Sequence, residues 1–216
     1  MPKVTSLEEI PENRKRRHVV FADAPTVELS LEVACAAGLL PGRTVSRAAV
    51  RKAQKEDALR RAEEDALALL RRKDRSEAEL RRALASAGHG AEVVEAILKK
   101  CRGWGYLDDR RLAERLVSDG IELKHLGPAR IKRQLRERGL DPALGESVRK
   151  QVAGEEPSLV ERAVAALASK RKSYARLEPE VARRRMIAFL ERRGFDFDTI
   201  RKALKRVGHE ADDDTA

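Results

Sequence analysis

The stretch that decides the fold lies at residues 127–139 and reads GPARIKRQLRERG. Pro128 suits the first position of a helix, and Gly139 suits the left-handed residue that follows a last helical turn. Ile131 and Leu135 are four residues apart, so a helix places them on the same face. The stretch therefore predicts a short amphipathic helix with a buried apolar side and a basic outer side.

The same spacing of two apolar residues and one glycine recurs twice more in the chain. The further copies are Leu80, Leu84 and Gly88, and Met186, Leu190 and Gly194. Equivalent glycines are 51 and 55 residues apart, which indicates an internal repeat. Apolar helical patterns precede and follow each copy, so each repeat is predicted to be a unit of three helices. We expect the six apolar side chains to be buried and the three glycines to end helices.

The segment before the repeats has a different pattern. Val27, Leu29 and Leu31 alternate with polar residues, and Asp23-Ala24-Pro25 supplies a turn, so residues 18–31 predict a small hairpin. The fold class is all-α, with tandem three-helix repeats in an elongated body and this N-terminal β-hairpin extension. The predicted divisions are 1–17 as a flexible N-terminus, 18–61 as the hairpin and long-helix extension, 62–107, 108–155 and 156–208 as helical repeats, and 209–216 as an acidic tail. Gly154-Glu155-Glu156-Pro157 is a predicted hinge.

Composition indicates an aliphatic helical core beneath a basic surface. Aromatic residues make up 3% of the chain, and 46 Lys and Arg outnumber 36 Asp and Glu, for a net charge of +10. Such a charge attracts polyanions, either nucleic acid or an acidic protein surface, although a merely soluble surface is the alternative. The acidic tail is expected to be a solvated terminus, with mimicry of the anionic partner as the alternative.

Several classes of function find no support in the sequence. Cys35 and Cys101 do not form a disulfide framework, and the four histidines share no ligand spacing, so neither a metal nor another cofactor is expected. Phosphate-binding loops and nucleophile elbows are missing, which argues against an enzyme. No apolar run approaches the ~20 residues of a membrane span, and no signal peptide is apparent. We therefore expect a cytoplasmic, non-enzymatic protein, monomeric and without membrane contact.

Two segments about twenty residues apart carry a family resemblance. Residues 105–113 read GYLDDRRLA and, followed by residues 127–139, strongly resemble the RecX family. The resemblance covers roughly residues 60–207 and includes Ser76 and Glu79 in the first repeat. The third repeat departs from the pattern because Lys172–Leu177 lengthens its first loop, and in the second Gly120 interrupts a helix at a cost of about 1 kcal/mol relative to Ala.

The resemblance implies three tandem three-helix repeats and a role in DNA repair and recombination. It implies that the protein binds the filament of the RecA recombinase on single- or double-stranded DNA, without sequence specificity, and lies along the filament groove. It also implies that the protein suppresses the ATPase and strand exchange of the recombinase without enzymatic activity of its own. The alternative is a sequence-independent DNA-binding helical protein that acts directly on nucleic acid.

Basic residues on the outer sides of the central helices are the candidate binding residues. With Ile131 at 0°, Lys132 falls near 100°, Arg136 near 140° and Arg133 near 200°, all away from the apolar side. Arg82 has the matching position in the first repeat, and the third repeat contributes Arg184, Arg185 and Arg192. These seven residues predict a basic stripe that binds the filament or DNA. Three independent solvated faces are the alternative.

Two pairs near the start of the second repeat are open to more than one interpretation. A single tryptophan such as Trp104 is more often part of a core between repeats than a stacking or docking residue, and Tyr106 is likewise predicted to pack. Asp108 is predicted to cap a helix, and Asp109 to lie at its positive end. Adjacent residues on a helix do not face one another, so these two carboxylates are interpreted as caps and not as a metal pair.

Overall fold

The computed structural model describes residues 1–141, 143–145, 147–148 and 158–213, and side chains within these ranges except at 171 and 209–213. The predicted hinge at residues 154–157 and the last residues of the acidic tail lie outside them. The chain divides into two compact units. The first comprises Met1–Lys73 and Leu80–Tyr106, and the second comprises Asp74–Glu79 and Leu107–Ala216.

The N-terminal sheet has three antiparallel strands in the order β1-β2-β3: β1 Val4–Glu9, β2 Arg16–Phe21 and β3 Val27–Ser30. The hairpin of β2 and β3 confirms the predicted extension. The prediction that residues 1–17 are loose is wrong, because β1 pairs with β2 and buries Val4. This pairing depends on contacts distant in sequence, and the polar composition of the segment conceals it.

Two helices follow the sheet in the first unit. Leu31 does not continue the strand as its alternation predicted, because Ser30 caps α1 (Leu31–Ala36) by accepting the Val33 N–H at 3.3 Å. Ser46 caps the long helix α2 (Arg47–Arg72) in the same way. Sheet, α1 and the start of α2 share one core of aliphatic side chains with Phe21.

A buried ion pair joins the sheet to α2. Asp57 of α2 is 4% exposed, and its carboxylate accepts hydrogen bonds from Arg16 Nη2 and from the Ser30 N–H, both at 2.8 Å. Arg16 also contacts the Glu28 carboxylate through Nε. Two strands and one helix are thus held by a single carboxylate. We call this cluster of Arg16, Ser30 and Asp57 the charged joint.

The first repeat consists of the end of α2, α3 (Glu77–Ser86) and α4 (Ala91–Gly103). Leu80 and Leu84 have no exposed surface, as predicted. Ile97 and Leu98 of α4 are also fully buried. The division between the two compact units passes through α3, since residues 77–79 belong to the second unit.

The second repeat contains α5 (Asp109–Ser118), a π-helical segment at Asp119–Leu123, and α6 (Pro128–Glu137). Residues 143–145 and 147–148 are helical as well. Gly120, which interrupts the predicted helix, is buried within the π-helical segment. A Cβ there would lie 3.1 Å from Ile131 Cγ1, so the glycine allows close packing against α6.

The third repeat begins at a capping box in which Ser158 and Glu161 satisfy each other's backbone N–H. Its helices are α7 (Leu159–Ala168), the single turn α8 (Arg171–Tyr174), α9 (Pro179–Arg192) and α10 (Phe197–Asp213). Leu190 is fully buried as predicted, whereas Met186 is only half-buried at the edge of the same core. The helix α10 extends into the predicted acidic tail.

The three repeat glycines end their helices as predicted. Gly88, Gly139 and Gly194 have φ of 87°, 71° and 86°, in the left-handed region that side chains with a Cβ avoid. In the second repeat the Gly139 N–H donates to the Arg136 carbonyl and the Leu140 N–H donates to the Leu135 carbonyl. This is the bonding pattern of a Schellman cap. The described part of residues 62–207 contains no strand, and no described helix is long and apolar enough to cross a bilayer.

Candidate polyanion-binding surface

The central helix of the second repeat, α6, separates an apolar side from a basic side. Ile131 and Leu135 are 3% and 2% exposed and pack in the core of this repeat. Lys132, Arg133 and Arg136 are all exposed, as the helical arrangement predicted. The structure therefore brings three predicted binding residues together within about one turn of one helix.

The three exposed cations of α6 are not equivalent electrostatically. Arg133 Nε lies 2.8 Å from Glu137 Oε1 in an exposed ion pair one turn apart. The hydrogen bond from Arg133 holds the pKa of Glu137 below its ordinary value. Neither Lys132 nor Arg136 forms an ion pair with any residue that the structure describes. Among the exposed cations of α6, Lys132 and Arg136 therefore carry charge that no described ion pair offsets.

The other predicted binding residues are exposed on two further helices. Arg184, Arg185 and Arg192 are exposed on α9, in the second unit. Arg82 is exposed on α3, in the part that belongs to the first unit. The alignment of these residues with α6 as one stripe stays a prediction.

A junction of two glycines fixes the end of α9 at the start of α6. The Gly127 N–H donates to the Arg193 carbonyl at 2.8 Å, and the Ala129 N–H donates to the Gly194 carbonyl at 3.3 Å. A Cβ on Gly127 would lie 2.2 Å from the Gly194 oxygen, and one on Gly194 would lie 2.3 Å from the Arg130 nitrogen. The two backbones are thus in direct contact. We call this contact the glycine joint.

Arg193 strengthens the glycine joint and was missed by sequence reasoning. Its guanidinium lies 4.7 Å from the centre of the Phe189 ring, and its Nη1 donates to the Lys124 carbonyl. Burial lowers the pKa of Arg193 below its ordinary value. Nothing in the sequence distinguishes this half-buried residue from its exposed neighbour Arg192.

A second structural arginine, Arg138, lies at the end of α6. Its guanidinium pairs with Glu79 at 2.8 Å and also donates to the Asp74 carbonyl. Its own carbonyl accepts a hydrogen bond from the Ser76 hydroxyl. Ser76 and Glu79 in turn form a reciprocal capping box, which the Ser-x-x-Glu spacing of the sequence indicates. Arg138 therefore anchors α6 at its C-terminal end.

The adjacent aspartates at the start of α5 are caps, as predicted. Asp108 accepts the Arg111 N–H of its own helix at 2.9 Å. Asp109 accepts the Glu77 N–H, the first of α3, also at 2.9 Å. Burial raises the pKa of Asp109 in spite of this hydrogen bond. Helix α3 is thus capped by a residue 32 positions away.

The predictions for the two aromatic residues near this point are wrong. Trp104 is 46% exposed and Tyr106 is 58% exposed, so neither is buried between repeats. The backbone at Trp104–Gly105 forms the cap of α4, and this cap turns both side chains toward the solvent.

Comparison with protein families gives three matches that follow the repeats. The first three-helix domain of RecX matches residues 62–101, the second matches 108–148 and the third matches 158–204. Together these matches span more than half of the chain.

Whole proteins are similar to this chain in sequence, and two solved structures share its fold. Regulatory protein RecX of Bacillus licheniformis is 26% identical over 213 residues, which are 99% of this chain and 80% of that protein. The one of Chromohalobacter salexigens is 34% identical over 141 residues, 65% of this chain and 89% of that protein. A crystal structure of regulatory protein RecX aligns with a TM-score of 0.62 at 20% identity over 95% of this chain and all of that chain. The crystal structure of RecX from Lactobacillus salivarius aligns with a TM-score of 0.58 at 20% identity, over 71% of this chain and 98% of that chain. The chain belongs to the RecX family of regulatory proteins.

Proposed function

We propose that this protein regulates, and mainly inhibits, the RecA recombinase by binding the RecA–DNA filament and suppressing its ATPase and strand exchange. The observation that carries the proposal is the outer face of α6, where Lys132 and Arg136 are exposed without an ion-pair partner among the described residues. Family membership supplies the regulatory role. The proposed contact residues are Arg82, Lys132, Arg133, Arg136, Arg184, Arg185 and Arg192.

The physical basis of binding is a set of cations on a fixed helix. A guanidinium donates paired hydrogen bonds to a phosphate or a carboxylate, so Arg136 fits either DNA or an acidic protein wall. The glycine joint holds the start of α6, and Arg138 holds its end. A helix held at both ends presents its cations with little loss of backbone freedom on binding, which favours affinity.

Direct, sequence-independent DNA binding is the alternative function. The outer face of α6 supports this alternative because its Lys and Arg side chains bind phosphates without distinguishing bases. Salt dependence separates the two functions. Each phosphate neutralised releases condensed counterions, so DNA contacts give a steep loss of affinity with salt, whereas contacts with a protein surface give a shallower one.

The decisive experiment measures RecA ATPase on single-stranded DNA with increasing amounts of this protein. The double variant Lys132→Glu and Arg136→Glu should lose most of the inhibition while its melting temperature stays nearly unchanged, since both side chains are exposed. The matched control is Lys52→Glu and Lys55→Glu, which reverses two exposed charges on α2 and should inhibit like the parent. Equal inhibition by all three proteins would show that the face of α6 is only solvated.

Two single-residue variants test whether the exposed cations of α6 contribute unequally to inhibition. Arg133→Gln should weaken inhibition less than Arg136→Gln, because Glu137 already offsets the charge of Arg133. Both substitutions remove one exposed charge and keep most of the side-chain length. The opposite order would indicate that the pair with Glu137 opens on binding.

A further inference from the structure

Two aromatic rings stand in solvent at the end of α4, in a chain that has few aromatic residues. Trp104 is the only tryptophan of the sequence, and Tyr106 is one of two tyrosines. Their ring centres are 6.0 Å apart with an interplanar angle of 65°, an edge-to-face contact. About half of each residue is nevertheless exposed. This patch serves neither the core nor the proposed contact face on α6.

The backbone holds the two rings in a fixed position. The Trp104 N–H donates to the Lys100 carbonyl at 2.9 Å, and the Tyr106 N–H donates to the carbonyl of the fully buried Cys101, also at 2.9 Å. Gly105 lies between them with φ of 73°, which completes the cap of α4. A rigid helix end therefore presents both rings, and binding to them does not require a loop to become ordered.

One cation lies beside a ring, and two more are exposed on the same helical turn. Lys99, Lys100 and Arg102 are exposed on the last turn of α4. Lys100 Nζ lies 5.9 Å from the centre of the Trp104 ring and 2.7 Å from Glu63 Oε2. Aromatic faces beside cations match the two chemical parts of a nucleotide, the flat base and the phosphate. If the rings instead docked against apolar side chains of a partner protein, aliphatic residues would be expected beside them. Here glycines flank Trp104 on both sides.

We propose that Trp104 and Tyr106 form a stacking platform for the bases of single-stranded nucleic acid, with the cations of the last turn of α4 attracting its phosphates. Single strands fit because their bases offer free faces, whereas the bases of a duplex are already stacked on one another. The platform binds without sequence readout, since every base has a face that can stack. The inference does not rest on the proposed function, because it requires no recombinase.

The test uses the full-length protein and the fluorescence of its single tryptophan. The protein is titrated with oligo(dT) and with an abasic oligonucleotide of equal length, which has the same phosphates but no bases. Stacking predicts saturable quenching by oligo(dT) and little quenching by the abasic strand. Tyr106→Leu keeps the reporter and should weaken binding of oligo(dT) roughly five- to hundredfold, the range for the loss of one stacked base. The control Leu123→Ala removes an exposed apolar side chain that has no ring and should bind like the parent.

A second measurement tests binding without using the fluorescence of Trp104. Anisotropy of a labelled oligo(dT) should show the same weakening for Trp104→Leu, and thermal melting should show that each variant is folded. Equal quenching by the abasic strand would overturn the proposal, because phosphates alone would then account for binding. Binding by anisotropy without quenching would place the strand elsewhere and would also overturn it. Quenching that appears only when a recombinase is added would assign the rings to a protein pocket instead.

Discussion

The charged joint and the glycine joint each hold two elements of secondary structure together. The charged joint does so through charged side chains, and the glycine joint through direct contact of two backbones. The charged joint in the first unit holds the sheet to α2 through side chains, with Asp57 binding Arg16 and the Ser30 N–H. The glycine joint in the second unit holds α9 to α6 through direct backbone contact, which is possible because neither Gly127 nor Gly194 has a side chain. The first joint therefore fails when a group is removed, and the second fails when a group is added.

The largest effect is expected from removing the carboxylate of the charged joint. Asp57→Ala leaves the guanidinium of Arg16 in a buried site without its strongest partner, which should lower the free energy of unfolding by about 3–5 kcal/mol. Chemical denaturation of the full chain measures the change. The control is Glu32→Ala, which removes one of two carboxylate partners of Arg60 in an ion pair whose Glu32 side chain is 84% exposed. That loss should be within about 1 kcal/mol. Equal losses in the two variants would mean that the buried pair contributes no more than a surface pair.

The next effect is expected from adding a methyl group to the glycine joint. Gly194→Ala introduces a Cβ 2.3 Å from the Arg130 nitrogen and also strains a residue with φ of 86°. The combined cost should be about 2–5 kcal/mol, since a left-handed residue with a Cβ costs roughly 1–2 kcal/mol and an overpacked contact roughly 1–3 kcal/mol.

Gly88→Ala is the matched control for the glycine joint. Gly88 has a φ of 87°, but a Cβ there would meet no atom within 4 Å. This variant should lose only the cost of the left-handed conformation, about 1–2 kcal/mol. If the two alanine variants lose the same stability, the contact between α9 and α6 contributes nothing and the joint is incidental.

The two joints also differ from the repeats in how far the sequence could predict them. Local patterns predict local structure, so Leu80, Leu84 and the cap at Gly139 could be found from spacing alone. The partner of Asp57 lies 41 residues away, and the strand that covers the hairpin has no strong alternation. Such features depend on pairings between distant segments, and the pattern of one segment does not specify them.

In the candidate site, too, the sequence predicts features that depend on local pattern but not those that depend on contacts between distant segments. Helical arrangement correctly predicted that Lys132 and Arg136 are exposed. It did not distinguish Arg192, which is exposed, from Arg193, which is half-buried against Phe189. Both arginines follow the same local pattern, and only the packing of the third repeat against the second separates them.

The smallest effect concerns pH and the aspartate two residues beyond the glycine joint. Asp196 caps α10 by accepting the Thr199 N–H at 2.8 Å, and this hydrogen bond lowers the pKa of Asp196. Its stabilisation is therefore fully present above the ordinary pKa of an aspartate, about 3.9, and is lost as the pH falls through the lower pKa of the folded state. Asp196→Asn should change little at pH 7, because Asn caps a helix about as well, and should make the loss of stability in acid shallower.

Asp109 should respond to the matched substitution with the opposite sign. Burial raises the pKa of Asp109, so the folded state gains relative stability from this group as the pH falls through that raised value. Asp109→Asn removes this gain and should make the acid-induced loss of stability steeper than in the parent. Urea midpoints measured from pH 7 down to about pH 2.5 compare the three proteins. If both variants shift the acid limb in the same direction, the difference between the exposed Asp196 and the half-buried Asp109 does not control the pH response.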